Sequence, residues 1–333
     1  MSHLALSLSQ RNDTVVFAEN LSNIAGENII SSSEPLLAAL NDSEKALYQP
    51  HLLITIGEGL VSKRLKQYFR TFPPVEHWHF TNSAAYIDTF RCLSFLIDAD
   101  ACDVLNILME ERSQENNDYK GLKAENNQQQ QLHNEFINKL GLVDLRVSHE
   151  ILGSIPNDTV IHLANSTPVR YAQLTRTKKE LTYFCNRGTS GIDGCLSTAA
   201  GSAYVSGKNT WLISGDLAFL YDSNALWNDY IKPGLKIIVI NNNGGNIFSL
   251  IDTGSEMDKA RRFFETPHRV KIKSLTEAFG IKYISCDDLS DLHDCLDKLR
   301  NSDETCLLEI RTDAKENTKA FKAYYQFIKS TLI

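Results

Sequence analysis

The stretch W-L-I-S-G-D-L-A-F-L-Y-D-S-N-A-L-W (Trp211 to Trp227), with L-K-I-I-V-I-N-N-N-G-G-N-I-F (Leu235 to Phe248) shortly after it, decides the fold. One apolar run ends in Gly215-Asp216 and a second in Asn241-Asn242-Asn243-Gly244-Gly245. Short, continuous apolar runs of this kind suit strands buried on both faces of a parallel sheet. Each run delivers a hard oxygen ligand at its carboxyl end, where open parallel α/β sheets place their ligands. One carboxylate, one amide oxygen and a backbone carbonyl suit Mg²⁺, which takes few protein ligands and completes its shell with phosphate oxygens and water. A lone G-D or N-N is weak evidence. The pair, 26 residues apart from Asp216 to Asn242 and each behind an apolar strand, is specific.

The alternation continues on both sides of this pair. Apolar runs at 160–164, 181–184, 210–214, 236–240, 282–285 and 306–310 alternate with helical patterns such as 194–205 and 289–299. They predict an α/β fold with a doubly wound six-stranded parallel sheet. Upstream, strand patterns at 14–18, 52–56 and 75–80 and helical ones at 34–40, 62–70 and 100–111 predict a smaller α/β domain. Between the two, 113–134 contains E-N-N-D and E-N-N-Q-Q-Q-Q with few apolar residues, as in a solvated linker or an exposed helix start. The expected division is therefore 1–112, a linker at 113–134, and 135–333.

Composition narrows the function. With 42% hydrophobic and 23% charged residues the chain is an ordinary globular one, and its net charge of −7 argues against a nucleic-acid surface. An anionic substrate must then be met by locally concentrated arginine and lysine. No apolar run is long enough to span a membrane, and Met1-Ser2-His3-Leu4 lacks the basic and apolar regions of a signal peptide. The seven cysteines contain no C-x-x-C and suit reduced thiols in a cytoplasmic protein.

Four further segments carry candidate chemistry. Asn186-Arg187-Gly188-Thr189-Ser190-Gly191-Ile192-Asp193-Gly194 lies between a strand and a helix. Its glycines would let backbone approach an anion, or the segment is a helix-entry turn capped by Ser190 or Asp193. In Ser166-Thr167-Pro168-Val169-Arg170, the arginine opposes the macrodipole of a helix start, so it serves either a substrate carboxylate or a salt bridge. Gly57-Glu58-Gly59 leads to Ser62-Lys63-Arg64 in the first domain, a weak G-x-G with two cations at a helix start. His77 and His79 share one face of a strand and could chelate Zn²⁺, but no third ligand stands at a convincing spacing, which favours a packed pair.

Together N-R-G-T-S-G-I-D-G-C-L-S-T-A-A-G, I-S-G-D-L-A-F-L-Y-D-S-N-A-L and I-V-I-N-N-N-G-G-N-I-F-S-L resemble the 2-succinyl-5-enolpyruvyl-6-hydroxy-3-cyclohexene-1-carboxylate synthases, thiamine-diphosphate transferases of menaquinone biosynthesis. Leu217, where related enzymes carry the second glycine of G-D-G, separates this family from acetolactate synthases. The resemblance is tight from Val160 to Ile251 and looser upstream through L-V-S-K-R-L-K-Q. It implies decarboxylation of 2-oxoglutarate and addition of the succinyl-semialdehyde unit to isochorismate by a cytoplasmic homodimer or homotetramer. It further implies thiamine diphosphate held by Mg²⁺, with Mn²⁺ as the alternative, on Asp216, Asn242 and the Gly244 carbonyl; Asn243 is the alternative ligand. Ser190, Gly191, Asp193, Gly215 and Leu217 would contact the cofactor, Ile192 would bend it, and Ile247, Phe248 and Ile251 would line its thiazolium side. Lys63, Arg64, Ser166, Arg170 and Arg187 would hold the substrate carboxylates. The family's N-terminal pyrimidine-binding domain, whose glutamate activates the cofactor, has no counterpart among these motifs. The expectation is therefore a central domain, partial at its start, and a diphosphate domain, inactive without that partner.

Overall fold

The computed structural model describes residues 1–81, 86–110, 119–231, 233–250 and 262–330. The chain separates into two compact units, Met1–Asn134 with Gln173–Lys179 and Tyr325–Ile333, and Glu135–Ala172 with Glu180–Tyr324.

The second unit holds the six-stranded sheet. Its strands are β6 (Val160–Leu163), β7 (Thr182–Phe184), β8 (Thr210–Gly215), β9 (Leu235–Asn241), β10 (Lys282–Cys286) and β11 (Cys306–Arg311), in the order β10-β11-β9-β8-β6-β7. All pairings are parallel, with Leu212 opposite Ile237 and Ile213 opposite Ile238. Residues of β8 and β9 alternate between two covered faces, so both faces must be apolar; Trp211, Leu212, Ile237, Ile238 and Val239 are fully buried. Burying such a side chain stabilises the fold by about 1.5–3 kcal/mol. One covering layer is α9 (Cys195–Ser206), whose Leu196, Ala199 and Ala203 pack with Phe219, Leu226 and Leu307. The chain runs from β6 outward to β7, then crosses back to β8 on the other side of β6. This reversal puts the topological switch point at the carboxyl ends of β6 and β8.

His162 on β6 is buried, stacked on the Phe184 ring at 5.5 Å, with Nε2 unpartnered among the described residues. Burial pushes its imidazole down to about 4 from 6.5. The unfolded chain takes up a proton that the folded chain refuses, so stability is complete above pH 6.5 and falls as pH drops towards 4. At pH 4.5 this site alone costs about 2–3 kcal/mol. His162→Leu is expected to shrink the drop in melting temperature between pH 7 and 4.5 by about 5–10 °C; an unchanged drop would show that His162 does not stay neutral.

The first unit contains a three-stranded parallel sheet, β3 (Leu52–Ile56), β4 (Glu76–Phe80) and β5 (Phe95–Ile97), and a two-stranded one, β1 (Val16–Phe17) with β2 (Ile29–Ile30). Its core gathers Leu36 and Leu37 of α2 (Ser33–Ala39) with Leu65, Tyr68 and Phe69 of α4 (Lys63–Thr71). His77 and His79 are both buried and both bond to the Thr55 hydroxyl, at 2.8 and 2.9 Å. They form a packed pair, and no cluster of three His, Cys, Asp or Glu suited to a metal occurs among the described residues.

Two segments add detail to the expected division. Residues 120–134, expected as a linker or an exposed helix start, lie in α6 (Lys120–Ile137), an 18-residue helix. Its buried face is Leu122, Asn126, Gln129, His133 and Ile137, helical in spacing but mostly polar, so a search for apolar periodicity passes over it. Its Lys, Glu and Gln are good helix formers, which the low apolar content obscured. Residues 111–118 lie outside the described residues. Gln173–Lys179 also departs from the 135–333 block: Gln173 bonds Asn20, Thr177 N donates to Ser31 at 3.1 Å and Arg176 reaches Asn127 at 2.6 Å. Among the described residues no helix is long and apolar enough to cross a membrane.

Candidate metal and cofactor site

Asp216 opens α10 (Asp216–Tyr221) directly after β8, with extended Gly215 as its N-cap. The carboxylate is buried. Its Oδ1 accepts from Leu217 N at 2.7 Å; its Oδ2 accepts from Gly244 N at 2.7 Å and faces His268 Nε2 at 3.0 Å. Burial raises its pKa, while the His268 contact and the two backbone N–H groups pull it back. A negative charge is thus held in a dry place by donors, the situation in which a bound cation gains most.

The three asparagines after β9 separate by environment. Asn241 is committed: its Nδ2 donates to Glu309 at 2.6 Å and its Oδ1 accepts from Asn243 N at 3.0 Å. Asn243 is exposed and left-handed at φ 67°, which asparagine tolerates. Asn242 is buried, its Nδ2 donating to Asp144 at 2.8 Å, and its Oδ1 has no hydrogen-bond partner among the described residues. A buried amide oxygen left unpaired costs about 1–3 kcal/mol. Gly244 follows at φ 145°, and its carbonyl accepts from Asn246 N at 3.0 Å, leaving a second lone pair. A carboxylate, an orphaned amide oxygen and a turn carbonyl are a donor set that fits a hard divalent cation.

The Asn186–Gly194 loop is tied to the end of β6 by one residue that sequence reasoning missed. Asn165, buried, donates from Nδ2 to the carbonyls of Asn186 and Gly191 at 2.7 and 2.6 Å, and its Oδ1 accepts from Arg187 at 2.7 Å. Arg187 is half-buried, with its Nε unpartnered among the described residues. Arg170 lies on α8 (Thr167–Ala172), behind the left-handed Ser166 at φ 79°. Ser190 is exposed at φ 61°, and neither it nor Asp193 caps α9. The N-cap is Gly194 at φ 71°, and the carboxylate that serves this helix start is Asp222, which accepts from Ser197 N and Oγ, both at 2.6 Å. That leaves the loop's own side chains out of capping. A Cβ added at Gly191 would run into the Asp193 carboxylate, and Ile192 packs partly on the sheet core. Leu217 is half-buried beside Asp216; Ile247 and Phe248 are half-buried on α11 (Ile247–Leu250); Ile251 lies outside the described residues.

In the first unit, Lys63 is exposed, but Arg64 is already engaged, 3.2 Å from Glu34 and 4.5 Å above the Tyr325 ring. The start of α4 is also filled from within. Glu19 accepts from Val61 N and Ser62 N at 2.7 Å, and Glu34 from Ser62 Oγ and Arg64 N. Two carboxylates thus serve the N–H groups at this helix start, and Glu34 also pairs with Arg64.

Residues 166–310 match the C-terminal TPP binding domain of the thiamine pyrophosphate enzymes, and residues 15–163 match the middle domain of thiamine pyrophosphate enzymes. The chain therefore carries the middle domain and the C-terminal cofactor-binding domain of the thiamine pyrophosphate, or thiamine diphosphate, enzymes. Within that class it is a relative of the 2-succinyl-5-enolpyruvyl-6-hydroxy-3-cyclohexene-1-carboxylate synthases. It is 37% identical to that synthase of Flavobacterium johnsoniae, over 94% of this chain and 56% of that protein. To the Flavobacterium psychrophilum synthase it is 35% identical, over 95% of this chain and 58% of the relative. With the Porphyromonas gingivalis synthase it shares 36%, over 95% and 56%. The chain thus spans little more than half the length of these curated relatives.

Proposed function

We propose that this chain supplies the diphosphate- and metal-binding half of a synthase that decarboxylates 2-oxoglutarate and joins the remaining four-carbon unit to isochorismate in menaquinone biosynthesis. The observation that carries the reading is the buried Asn242 oxygen, unpartnered among the described residues, on the turn whose Gly244 N–H reaches Asp216. Asp216, Asn242 Oδ1 and the Gly244 carbonyl hold Mg²⁺, or Mn²⁺ in its place, on the cofactor diphosphate. Asn242 takes precedence over Asn243, whose exposed side chain leaves the left-handed turn towards solvent. Ser190, Gly191, Asp193, Gly215 and Leu217 form the cofactor cradle, Ile192 bends the cofactor, and Ile247 and Phe248 line its thiazolium side.

When bound, thiamine diphosphate supplies the electron sink for decarboxylation. The chain's own side chains bind and orient. Arg187, held by Asn165 with its Nε free of an internal acceptor, offers a fork to a substrate carboxylate. Ser166 and Arg170 stand at the neighbouring strand end for the second carboxylate. A substrate-carboxylate role is proposed for Lys63 and Arg64 as well; in the first unit Lys63 is exposed and Arg64 pairs with Glu34.

The test uses a polypeptide of these 333 residues. Mg²⁺ with thiamine diphosphate is expected to raise its melting temperature, because only the folded form binds. The same polypeptide is expected to release no CO₂ from 2-oxoglutarate until a pyrimidine-binding domain is supplied, since its motifs match the middle and C-terminal domains and none of them carries the activating glutamate. An absent shift overturns the cofactor assignment, and turnover by the polypeptide alone overturns the division of labour. Homodimer or homotetramer assembly belongs to the same proposal, and the mass in solution checks it.

A further inference from the structure

Asp144 opens α7 (Asp144–Ser154), a helix distant in sequence from every metal-site motif, yet its carboxylate lies under the turn after β9. It is almost fully buried at 1% exposure. Oδ2 accepts from Asn242 Nδ2 at 2.8 Å and Oδ1 from Thr312 Oγ1 at 2.6 Å. The backbone N–H of Asp144 donates to Asn317 Oδ1 at 2.8 Å, and Asn317 Nδ2 returns to Thr312 Oγ1 at 3.2 Å. Thr312 N in turn donates to the Asn241 carbonyl at 3.0 Å. The circuit joins the start of α7, the end of β11 and the first turn of α14 (Ala314–Ser330) to the end of β9.

A carboxamide has two ends of nearly equal shape and opposite chemistry, and only the oxygen can ligate a cation. An ionised carboxylate only accepts hydrogen bonds, so it binds the NH₂ end and turns the oxygen away from itself. In Asn242 that leaves Oδ1 buried and unpaired among the described residues. An orphan acceptor in a dry place is costly, and a cation at this oxygen would relieve that cost. We infer that Asp144 is a positioning residue that fixes the Asn242 amide with its oxygen towards the divalent cation. This rests on the assignment of Asn242 as a metal ligand.

Titration of the full chain with Mg²⁺ and, separately, Ca²⁺ at saturating thiamine diphosphate, followed by melting temperature, tests the inference. Asp144→Ala frees the amide to rotate and is expected to weaken Mg²⁺ about 10–100-fold, as removal of residues behind metal ligands does. Ca²⁺, which accepts looser geometry, should weaken less. Asp144→Asn still offers an oxygen to Asn242 Nδ2 and should recover most of the Mg²⁺ affinity. A merely structural role would lower the unliganded melting temperature but leave the Mg²⁺-to-Ca²⁺ ratio unchanged, and that result overturns the inference. Should Asp144→Ala fail to fold, Thr312→Val carries the test, with weakened Mg²⁺ expected and parental affinity counting against the role. If the parent responds to Mg²⁺ and Asp216→Ala does not, while Asp144→Ala matches the parent, only the positioning role falls. A parent without any metal response removes the site assignment and this inference together.

Discussion

Asp216→Ala is expected to abolish the Mg²⁺–thiamine diphosphate stabilisation while leaving the unliganded protein folded. At a ligand concentration a hundred times Kd, binding stabilises the parent by about 2.7 kcal/mol, which for a unit of this size is about 5–10 °C in melting temperature. The substitution removes the one carboxylate of the donor set. Without it, an amide oxygen and a backbone carbonyl must hold a divalent ion with no formal charge from the protein to neutralise it. Two opposing effects act on the unliganded fold. Gly244 N and Leu217 N lose their acceptor, at about 1–3 kcal/mol for each donor left dry. Against that, a carboxylate that burial pushes towards protonation is no longer buried. The net change in unliganded melting temperature is therefore smaller than the lost ligand shift, and calorimetry with and without Mg²⁺ separates the two. A retained shift in Asp216→Ala would place the metal elsewhere. His268 supplies an internal comparison, since its Nε2 stands 3.0 Å from Asp216 Oδ2, the oxygen a cation would need. His268→Ala removes that competitor and should not weaken the metal.

What the sequence made legible follows from locality. β6, β8, β9 and β11 are short runs buried on both faces, so their apolar continuity is written into consecutive residues. Gly215-Asp216 and Asn242 through Gly245 stand at strand ends, and a strand end is recognisable from the run before it. The remaining parts of the site depend on side chains that arrive from elsewhere. Asn165 could have been suspected, because it terminates β6 in the same manner as Asp216 terminates β8. Asp144 and His268 had no such mark. The first starts a helix 98 residues before its partner Asn242, and the second reaches back 52 residues to Asp216. Choosing among Asn241, Asn242 and Asn243 required knowing which amide was already bonded, which three identical letters do not encode. The same limit explains α6, whose buried stripe is made largely of amides and a histidine. It also explains Arg64, whose partners Glu34 and Tyr325 lie far from it in sequence.

Gly244→Ala is expected to weaken Mg²⁺ as strongly as the loss of a ligand, although it removes no ligand atom. Gly244 has φ 145°, a conformation L side chains rarely adopt. A Cβ at this position would also fall inside contact distance of the Glu265 carbonyl oxygen and 3.5 Å from Pro267 Cα. That oxygen cannot simply withdraw, because Gly245 N donates to it at 2.6 Å. The strain is of order 1–3 kcal/mol, and the chain relieves it by rotating the turn. Rotation takes Gly244 N away from Asp216 Oδ2 and swings the Gly244 carbonyl out of the donor set, so two of the three ligands lose their placement at once. Because each 1.4 kcal/mol is about tenfold in affinity, the expected weakening is about tenfold to a hundredfold. Gly207→Ala provides the control. Gly207 is also left-handed, at φ 63°, but it ends α9 where an added Cβ would meet nothing within 4 Å, so the substitution should lower stability and leave metal affinity intact. If Gly244→Ala merely matches Gly207→Ala, losing stability with Mg²⁺ affinity unchanged, then the turn carbonyl is not a ligand and the cation must be held by Asp216 and Asn242 without it.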